Sequence, residues 1–472
     1  MTAGVSILSG AQDWQIFPRG ADGTADLTVG GSYERAAITF ELPMRVLPVG
    51  DGAVRIRARI ASEASGASVV AWQWCQTADD GTWTVTFTNV PAGGPYRIET
   101  TLEYEGMDGL AVTRGDVVHH IGVGDVYVVA GQSNAAGRAK DPVEDGPALG
   151  VHQFRNDGTW QLASHPLNET TRAVHVGHFE NHNPGHSPFL HVAKRLQREL
   201  GHPIGIVMAA YGGSPLRWWD PADNGTLTRN MLEMLRAAGV VPAGLLWYQG
   251  EADAVEQSAS TYRDRFERFV THVRRELGRP DLPVVTVQLA RCLSPADPVQ
   301  DRSWDMMREA QRQAAHTIPG VSIVPAIDLP LYDFIHLSAG ANLVLGDRIA
   351  DVLLSEVHGR PRHWRAPEPV AVERRDERTV AVTVAPVLNW INAFEAAPAN
   401  LPFVVEDGSG QTIPADCTVE GSTFVLRFDR AIGSGALLHA GGGMNGPAAM
   451  PSDCMRSPML AFHGLTIPDD AS

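Results

Sequence analysis

The stretch Val126-Tyr127-Val128-Val129-Ala130-Gly131-Gln132-Ser133-Asn134 decides how the rest of the chain is read. An apolar, β-branched run of this kind forms a buried strand, and here it stops abruptly at glycine with a serine at the turn. In an open α/β sheet, ligands collect beyond the carboxyl ends of the strands. A helix starting just after such a turn offers free backbone N–H groups to a developing negative charge. Gly131 and Gly137 bracket Ser133 with residues that tolerate the backbone angles of a sharp turn. On these residues alone two roles are open to Ser133: nucleophile, or N-cap of the helix that follows.

Working outward, the pattern changes on both sides. From residue 1 to 121 short strands and turns dominate. Residues 54–60 and 82–87 alternate apolar with polar, and Asp79-Asp80-Gly81 forms a turn between them. An antiparallel β-sandwich is expected, with Trp72, Trp74 and Trp83 packing inward and sugar binding as their other role. From 122 to 358 strands alternate with helices. Ser187 and Pro188 stand at N-cap and N1 of an apolar-striped helix that Gly201 closes. Strands are expected at 204–209, 245–247, 283–290 and 321–327, and helices at 262–277 and, capped by Ser338, at 341–356. Such alternation builds a mostly parallel sheet with helices on both faces. After a linker at 359–367, the segment 359–472 returns to alternating strands, with Val380, Val382 and Val384 on one face and Phe424, Leu426 and Phe428 on another. This is a second β domain.

A chain of 472 residues is too long for one ordinary core, and its 44% hydrophobic and 19% charged residues are globular values. The 38 Lys+Arg against 54 Asp+Glu leave −16. That balance disfavours nucleic acid or an anionic membrane as partner and suits a neutral substrate. Cys75, Cys292, Cys417 and Cys454 are far apart and are expected as reduced, buried thiols, with Cys417 to Cys454 the alternative bridge. The opening residues lack a basic and apolar leader, and no apolar run reaches the ~18 residues a membrane helix needs. A soluble chain is expected, cytoplasmic as written, or periplasmic or secreted if a leader was removed.

Three further stretches fall at strand ends. In Ala210-Tyr211-Gly212-Gly213-Ser214-Pro215-Leu216-Arg217-Trp218-Trp219, paired glycines let a backbone N–H approach a substrate oxygen, or simply turn the chain. In Trp247-Tyr248-Gln249-Gly250-Glu251, the Gln249 amide can donate to an oxyanion, and Glu251 can bind a sugar hydroxyl or fix the loop. In Leu331-Tyr332-Asp333-Phe334-Ile335-His336, a carboxylate three residues before an imidazole can bond its Nδ1–H and leave Nε2 free to take a proton. His175, His178, His182, His186 and His191 make a histidine-rich loop. Their spacing is looser than in structural metal sites, so with Asn181 and Asn183 the loop is read as cleft lining.

Together Gly131-Gln132-Ser133-Asn134, Gly212-Gly213-Ser214, Gln249-Gly250-Glu251 and Asp333 with His336 resemble the ordered blocks of the SGNH (GDSL-type) hydrolase superfamily, and more narrowly its sialate O-acetylesterase-like carbohydrate esterases. The resemblance covers roughly residues 122–358. It implies a three-layer α/β/α fold, here flanked by the two β-sandwich-like domains that the strand patterns give, and metal-free hydrolysis of O-acetyl esters on sugars. By position, Ser133 is the nucleophile, His336 the base and Asp333 its orienter. The oxyanion donors implied are the N–H groups of Ser133 and of Gly212 or Gly213, with the Gln249 side chain. Glu251 is a further candidate for a sugar hydroxyl, and Arg217, Trp218 and Trp219, just beyond the glycine turn, can stack on or bond to a sugar ring, with burial of at least one tryptophan in the core as the alternative. Two departures stand out: Gln249 replaces the asparagine usual in the wider superfamily, and Leu337 stands where this branch commonly has proline. The competing functions are hydrolysis of a lipid, thioester or short aliphatic ester, and carbohydrate binding without catalysis.

Overall fold

A computed structural model describes every residue except 1–3, 35–40, 43–44, 47–52, 107–108, 181–183, 296, 390, 393–400, 448–449, 456 and 471–472. One strand, Gly109–Gly131, organises it. Its first half pairs antiparallel with Gly93–Gly106, and its second half pairs parallel with Ile204–Met208 on one side and Gly244–Tyr248 on the other. The division expected at 121/122 therefore lies inside a continuous strand. At the crossing, a Cβ on Gly124 would sit 1.9 Å from the Pro203 carbonyl oxygen, so only glycine lets the two backbones approach.

The central sheet runs Trp160–Leu162, Val151–Phe154, Ile204–Met208, Gly109–Gly131, Gly244–Tyr248, Val284–Gln288 and Val321–Pro325, all parallel but the first. Its strands are apolar along their whole length because helices cover both faces: Phe189–Leu200 packs with Ala339–Val352, while Tyr262–Glu276 packs with Thr226–Ala238 and Pro298–Thr317. The expected elements are present with ends shifted by a residue or more. Ser338 does cap its helix, accepting from Ala341 N at 3.2 Å. Ser187 does not cap this helix: it is fully buried, its hydroxyl has no partner among the described residues, and Pro188 takes the N-cap place. The helices Thr226–Ala238 and Pro298–Thr317 and the strand Val151–Phe154 were not anticipated.

The N-terminal strands form two facing sheets around Leu27, Val29, Ile56, Ile60, Phe87 and Ile98. Trp83 lies in this core as expected, but Trp72 and Trp74 do not. They sit on the outer face of the sheet over Arg57 (5.7 and 5.2 Å), because the strand Ser68–Trp74 lies at the sheet edge and cation–π contact with the arginines replaces burial. Among the described residues the C-terminal strands form two four-stranded sheets around Val380, Val382, Val384, Phe424, Leu426 and Phe428, with a separate two-stranded pair, and Ile327 of the α/β layer joins this core. All four cysteines are free: Cys292 is buried and the others are half-buried, with burial pushing Cys75 up to about 12. No helix among the described residues is long and apolar enough to cross a membrane.

The strand crossing makes a sharp prediction. Gly124→Ala should destabilise by about 1–3 kcal/mol, read as a lower urea midpoint at unchanged slope. Gly146→Ala, where a Cβ meets nothing within 4 Å, should leave the midpoint in place.

Candidate active site

Ser133 opens a short helix, Ser133–Ala136, directly after the central strand. The turn into it depends on Gly131, whose φ is +128° and whose missing Cβ would stand 2.1 Å from the Tyr248 carbonyl oxygen. Ser133 is half-buried, its hydroxyl takes part in no hydrogen bond among the described residues, and its N–H lies in a first turn where no intrahelical carbonyl exists. Both the free hydroxyl and the free N–H point to more than capping.

The next residue ties the loops together. Buried Asn134 donates Nδ2 to Glu251 Oε1 (2.6 Å) and to Ile335 O (3.3 Å), and its Oδ1 accepts from Leu337 N (3.1 Å). The bonded groups at 335 and 337 flank His336, so the residue beside Ser133 is fastened to the chain on both sides of the imidazole. The leucine at 337 supplies an N–H that a proline would lack.

His336 donates Nδ1–H to Asp333 Oδ2 (2.7 Å), while Asp333 Oδ1 accepts from the backbone N–H of Ile335 (2.9 Å) and of His336 (2.7 Å). Burial alone would raise the Asp333 carboxyl, but these donors outweigh it and hold it below its ordinary value. The carboxylate stays ionised and the imidazole keeps its basic nitrogen on Nε2.

The remaining expectations divide. Gly213 is exposed, with φ +64°, and its N–H has no acceptor among the described residues, so it is free to serve an oxyanion. Gly212 is not: its N–H donates to Glu180, and a Cβ there would strike Glu180 and Arg138. Gln249 is also corrected. It is fully buried, and its amide nitrogen is spent on Asp253 Oδ2 (2.6 Å), Ser214 O (3.2 Å) and Gln132 Oε1 (3.3 Å). It therefore positions the loop and donates nothing to a substrate. Trp219 belongs to the core, edge-on to Trp247 at 5.2 Å, with Nε1 donating to Ser214 Oγ (3.0 Å). Trp218 remains half-buried against Tyr211, and Arg217 is exposed.

Residues the sequence reading did not single out complete the frame. Arg138 pairs with buried Glu180 at 3.2 Å, joining the serine turn to Gly212. Gln132 Oε1 accepts from the backbone N–H of Gly250 (3.3 Å) and Ala252 (3.1 Å). Fully buried Arg308 donates to the carbonyls of Leu289, Ala290, Gly441, Gly443 and Met444. Met444 O in turn accepts from Cys292 N (2.8 Å), and Leu293 N donates to Phe334 O (2.7 Å), so a C-terminal loop braces the His336 segment. Leu293, Tyr332 and Phe334 stand exposed around that segment.

The histidine-rich loop scatters. His178 is buried on Ala209 O (2.7 Å), His175 faces Glu233 (3.2 Å), and His191 faces Asp347 (2.9 Å), while Asn181, His182 and Asn183 lie outside the described residues. Asp145, His165 and His186 alone group their ligand atoms within 4.8 Å among the described residues. Lys194 already holds Asp145 Oδ1 (2.9 Å), and Asn342, pinned on His186 O, donates to His186 Nδ1 (3.3 Å). That leaves the His186 proton on Nε2, facing Asp145, which suits a hydrogen-bonded tether better than a metal.

Residues 123–355 match the family model for carbohydrate esterases described as sialic acid-specific acetylesterase. A probable carbohydrate esterase of Arabidopsis thaliana is 28% identical over 275 residues, 53% of this chain and 99% of its own length. The crystal structure of a carbohydrate acetylesterase from Xanthomonas citri superimposes over 97% of this chain and 99% of its own, with a TM-score of 0.66 at 20% identity. The likeness of fold thus includes the flanking β sheets.

Two predictions follow from Asn134 and Glu251. Asn134→Ala removes three bonds at once, so turnover should fall by at least about tenfold, measured as kcat on an acetyl ester. Glu251 Oε2 is shielded and has no partner among the described residues, and burial pushes its carboxyl up to about 7. The folded state then holds this proton more tightly than the unfolded chain. Its contribution to stability is present below pH ~4.5 and is lost as pH rises to about 7. Thermal unfolding across that window should show a fall that Glu251→Gln abolishes.

Proposed function

We propose that this chain, whose residues 123–355 match the family model of sialic acid-specific acetylesterases, hydrolyses O-acetyl esters of carbohydrates with Ser133, His336 and Asp333 as catalytic residues. The observation that carries this reading is the Asn134 carboxamide, which fastens the serine turn to both sides of an imidazole already oriented by a carboxylate.

In the proposed sequence, Ser133 Oγ attacks the acetyl carbonyl while His336 Nε2 takes its proton. The oxyanion is met by the N–H groups of Ser133 and Gly213. His336 then returns the proton to the departing sugar oxygen, leaving an acetyl-serine. Water repeats the sequence, its proton going to His336 and its hydroxyl to the acetyl carbon, and acetate leaves as Ser133 is regenerated. Half-buried Trp218 and exposed Phe334 and Tyr332 offer ring faces to a sugar near the reacting groups, and Arg217 offers donors. Gln249 and Glu251 hold the shape of the site. The acidic surface, with net charge −16, accords with a neutral substrate.

Acetate release from 4-nitrophenyl acetate and from acetylated xylo-oligosaccharides tests the proposal. Ser133→Ala and His336→Ala should each lower kcat on the order of a thousandfold or more. Activity equal to wild type in Ser133→Ala would exclude it.

A further inference from the structure

Side chains of the segment 168–180, which carries the first of the clustered histidines, converge on the backbone leading from the strand Ile204–Met208 into the paired glycines. Buried Asn168 donates Nδ2 to Ala210 O (3.1 Å), buried His178 donates Nε2 to Ala209 O (2.7 Å), and the Glu180 carboxylate accepts from Gly212 N. Between them, Tyr211 N donates to Gly131 O (2.9 Å). Glu180 is itself held in place by Thr170, whose hydroxyl accepts from Glu180 N (3.2 Å) and donates to Glu180 O (3.3 Å). From 209 to 212, each residue therefore has a backbone group claimed from outside the turn.

The turn closes through Ser214 N on Tyr211 O (3.3 Å), and of its two central residues only Gly213 has a positive φ, +64°. This is the pattern of a type II turn, and rotation of its central peptide converts it to type I. Two glycines at the centre put no side chain in the way of that rotation. The consequence is chemical, because the same peptide carries the Gly213 N–H. Rotated, it would turn the Gly212 carbonyl oxygen to where the N–H stood, and an oxyanion would meet a negative dipole end in place of a donor. What resists the rotation is a buried ion pair on the Gly212 side. Arg138 Nη2 stands 3.2 and 3.4 Å from the two Glu180 oxygens, Arg138 Nη1 donates to Gly137 O (3.0 Å), and a Cβ on Gly212 would strike both members of the pair. The pair also balances charge. A lone carboxylate on Gly212 N, one peptide unit from the Gly213 donor, would oppose the negative charge of an oxyanion, and the guanidinium cancels it.

We propose that Arg138 and Glu180 are positioning residues for ester hydrolysis: they lock the Gly212–Gly213 peptide with its N–H, rather than its carbonyl oxygen, toward the oxyanion. This assignment rests on the esterase reading given above, and goes beyond it in naming what keeps a turn of two glycines in its reactive form.

The test is kcat and KM on 4-nitrophenyl acetate for Glu180→Ala, Glu180→Gln, Arg138→Ala and the double variant Arg138→Ala/Glu180→Gln, with Ser133→Ala beside them. Glu180→Ala should lower kcat and kcat/KM together by about tenfold or more at unchanged KM, the mark of an interaction made only in the transition state. Glu180→Gln keeps an acceptor for Gly212 N and nearly the same shape, so it should exceed Glu180→Ala several-fold, and it reads the site even where a variant that strands a charge folds poorly. Arg138→Ala leaves the carboxylate uncompensated and should also lose about tenfold or more. The double variant removes that charge and should be faster than Arg138→Ala. A pair that only braced the fold would give the opposite order, because the double variant removes more contacts. Wild-type kcat in Glu180→Ala, a loss confined to KM, or a double variant no faster than Arg138→Ala would overturn the proposal. With Ser133→Ala inactive, any of these three results leaves the esterase reading standing, whereas Ser133→Ala as fast as wild type removes both.

Discussion

One carboxamide sets the geometry on which everything else rests. Asn134 is buried and planar, and it makes its bonds to Glu251, Ile335 and Leu337 at the same time. Leaving any of those groups unpaired in a dry environment costs about 1–3 kcal/mol, so the three loops can move only together. The serine turn, the Glu251 loop and the His336 loop, which are far apart along the chain, thereby become one rigid body. The same logic extends outward: Gln132 holds the Gly250 and Ala252 amides, Gln311 Nε2 donates to Gln249 O (3.0 Å), and Arg138 with Glu180 fixes the Gly212 turn. Backbone groups that would otherwise need water are satisfied by side chains, which preorganises the floor of the site.

The flanking β sheets are built into this frame. The strand Gly109–Gly131 carries sandwich pairing into the central sheet and delivers Ser133 at its end, so the position of Ser133 is continuous with the N-terminal core. On the other side, Arg308 clamps the carbonyls of Gly441, Gly443 and Met444 to those of Leu289 and Ala290. Burial pulls its pKa down to about 10, which still leaves it charged, and five carbonyl dipoles take the place of a carboxylate partner. The bonds from Met444 to Cys292 and from Leu293 to Phe334 then lead to the histidine.

Much of this was legible because the signals are local. Apolar runs bounded by glycine mark the parallel strands, alternation marks the sandwich strands, and Asp333 reaches His336 three residues on, so the pair needs no tertiary information. What was not legible depends on partners distant in sequence. Asn134 reads as an ordinary residue in a first turn until residues 251, 335 and 337 arrive around it. Arg138 and Glu180 are 42 positions apart, and nothing in either residue type announces the other. Trp218 and Trp219 look equivalent, yet only Trp219 meets Trp247 and Phe269, so packing decides which one is buried and which is left half-exposed. Gln249 is of a type that can donate to an oxyanion, but Asp253, four residues on, claims its amide. The helix Pro298–Thr317 did carry a local signal, since Asp297 caps it by accepting from Val299 N (3.0 Å) with a proline at the first helical position. Arg308 within it is fully buried, which nothing in its sequence neighbourhood announces.

The most direct measurement is of the reactivity of Ser133 itself: intact mass and peptide mapping after treatment with a fluorophosphonate ester, which modifies serines activated by a neighbouring base. A single adduct on Ser133, formed at a rate that collapses in His336→Ala, is the result expected if the Asn134-centred frame brings hydroxyl and imidazole into register. Labelling at another residue, or labelling of Ser133 at the same rate with and without His336, would contradict it.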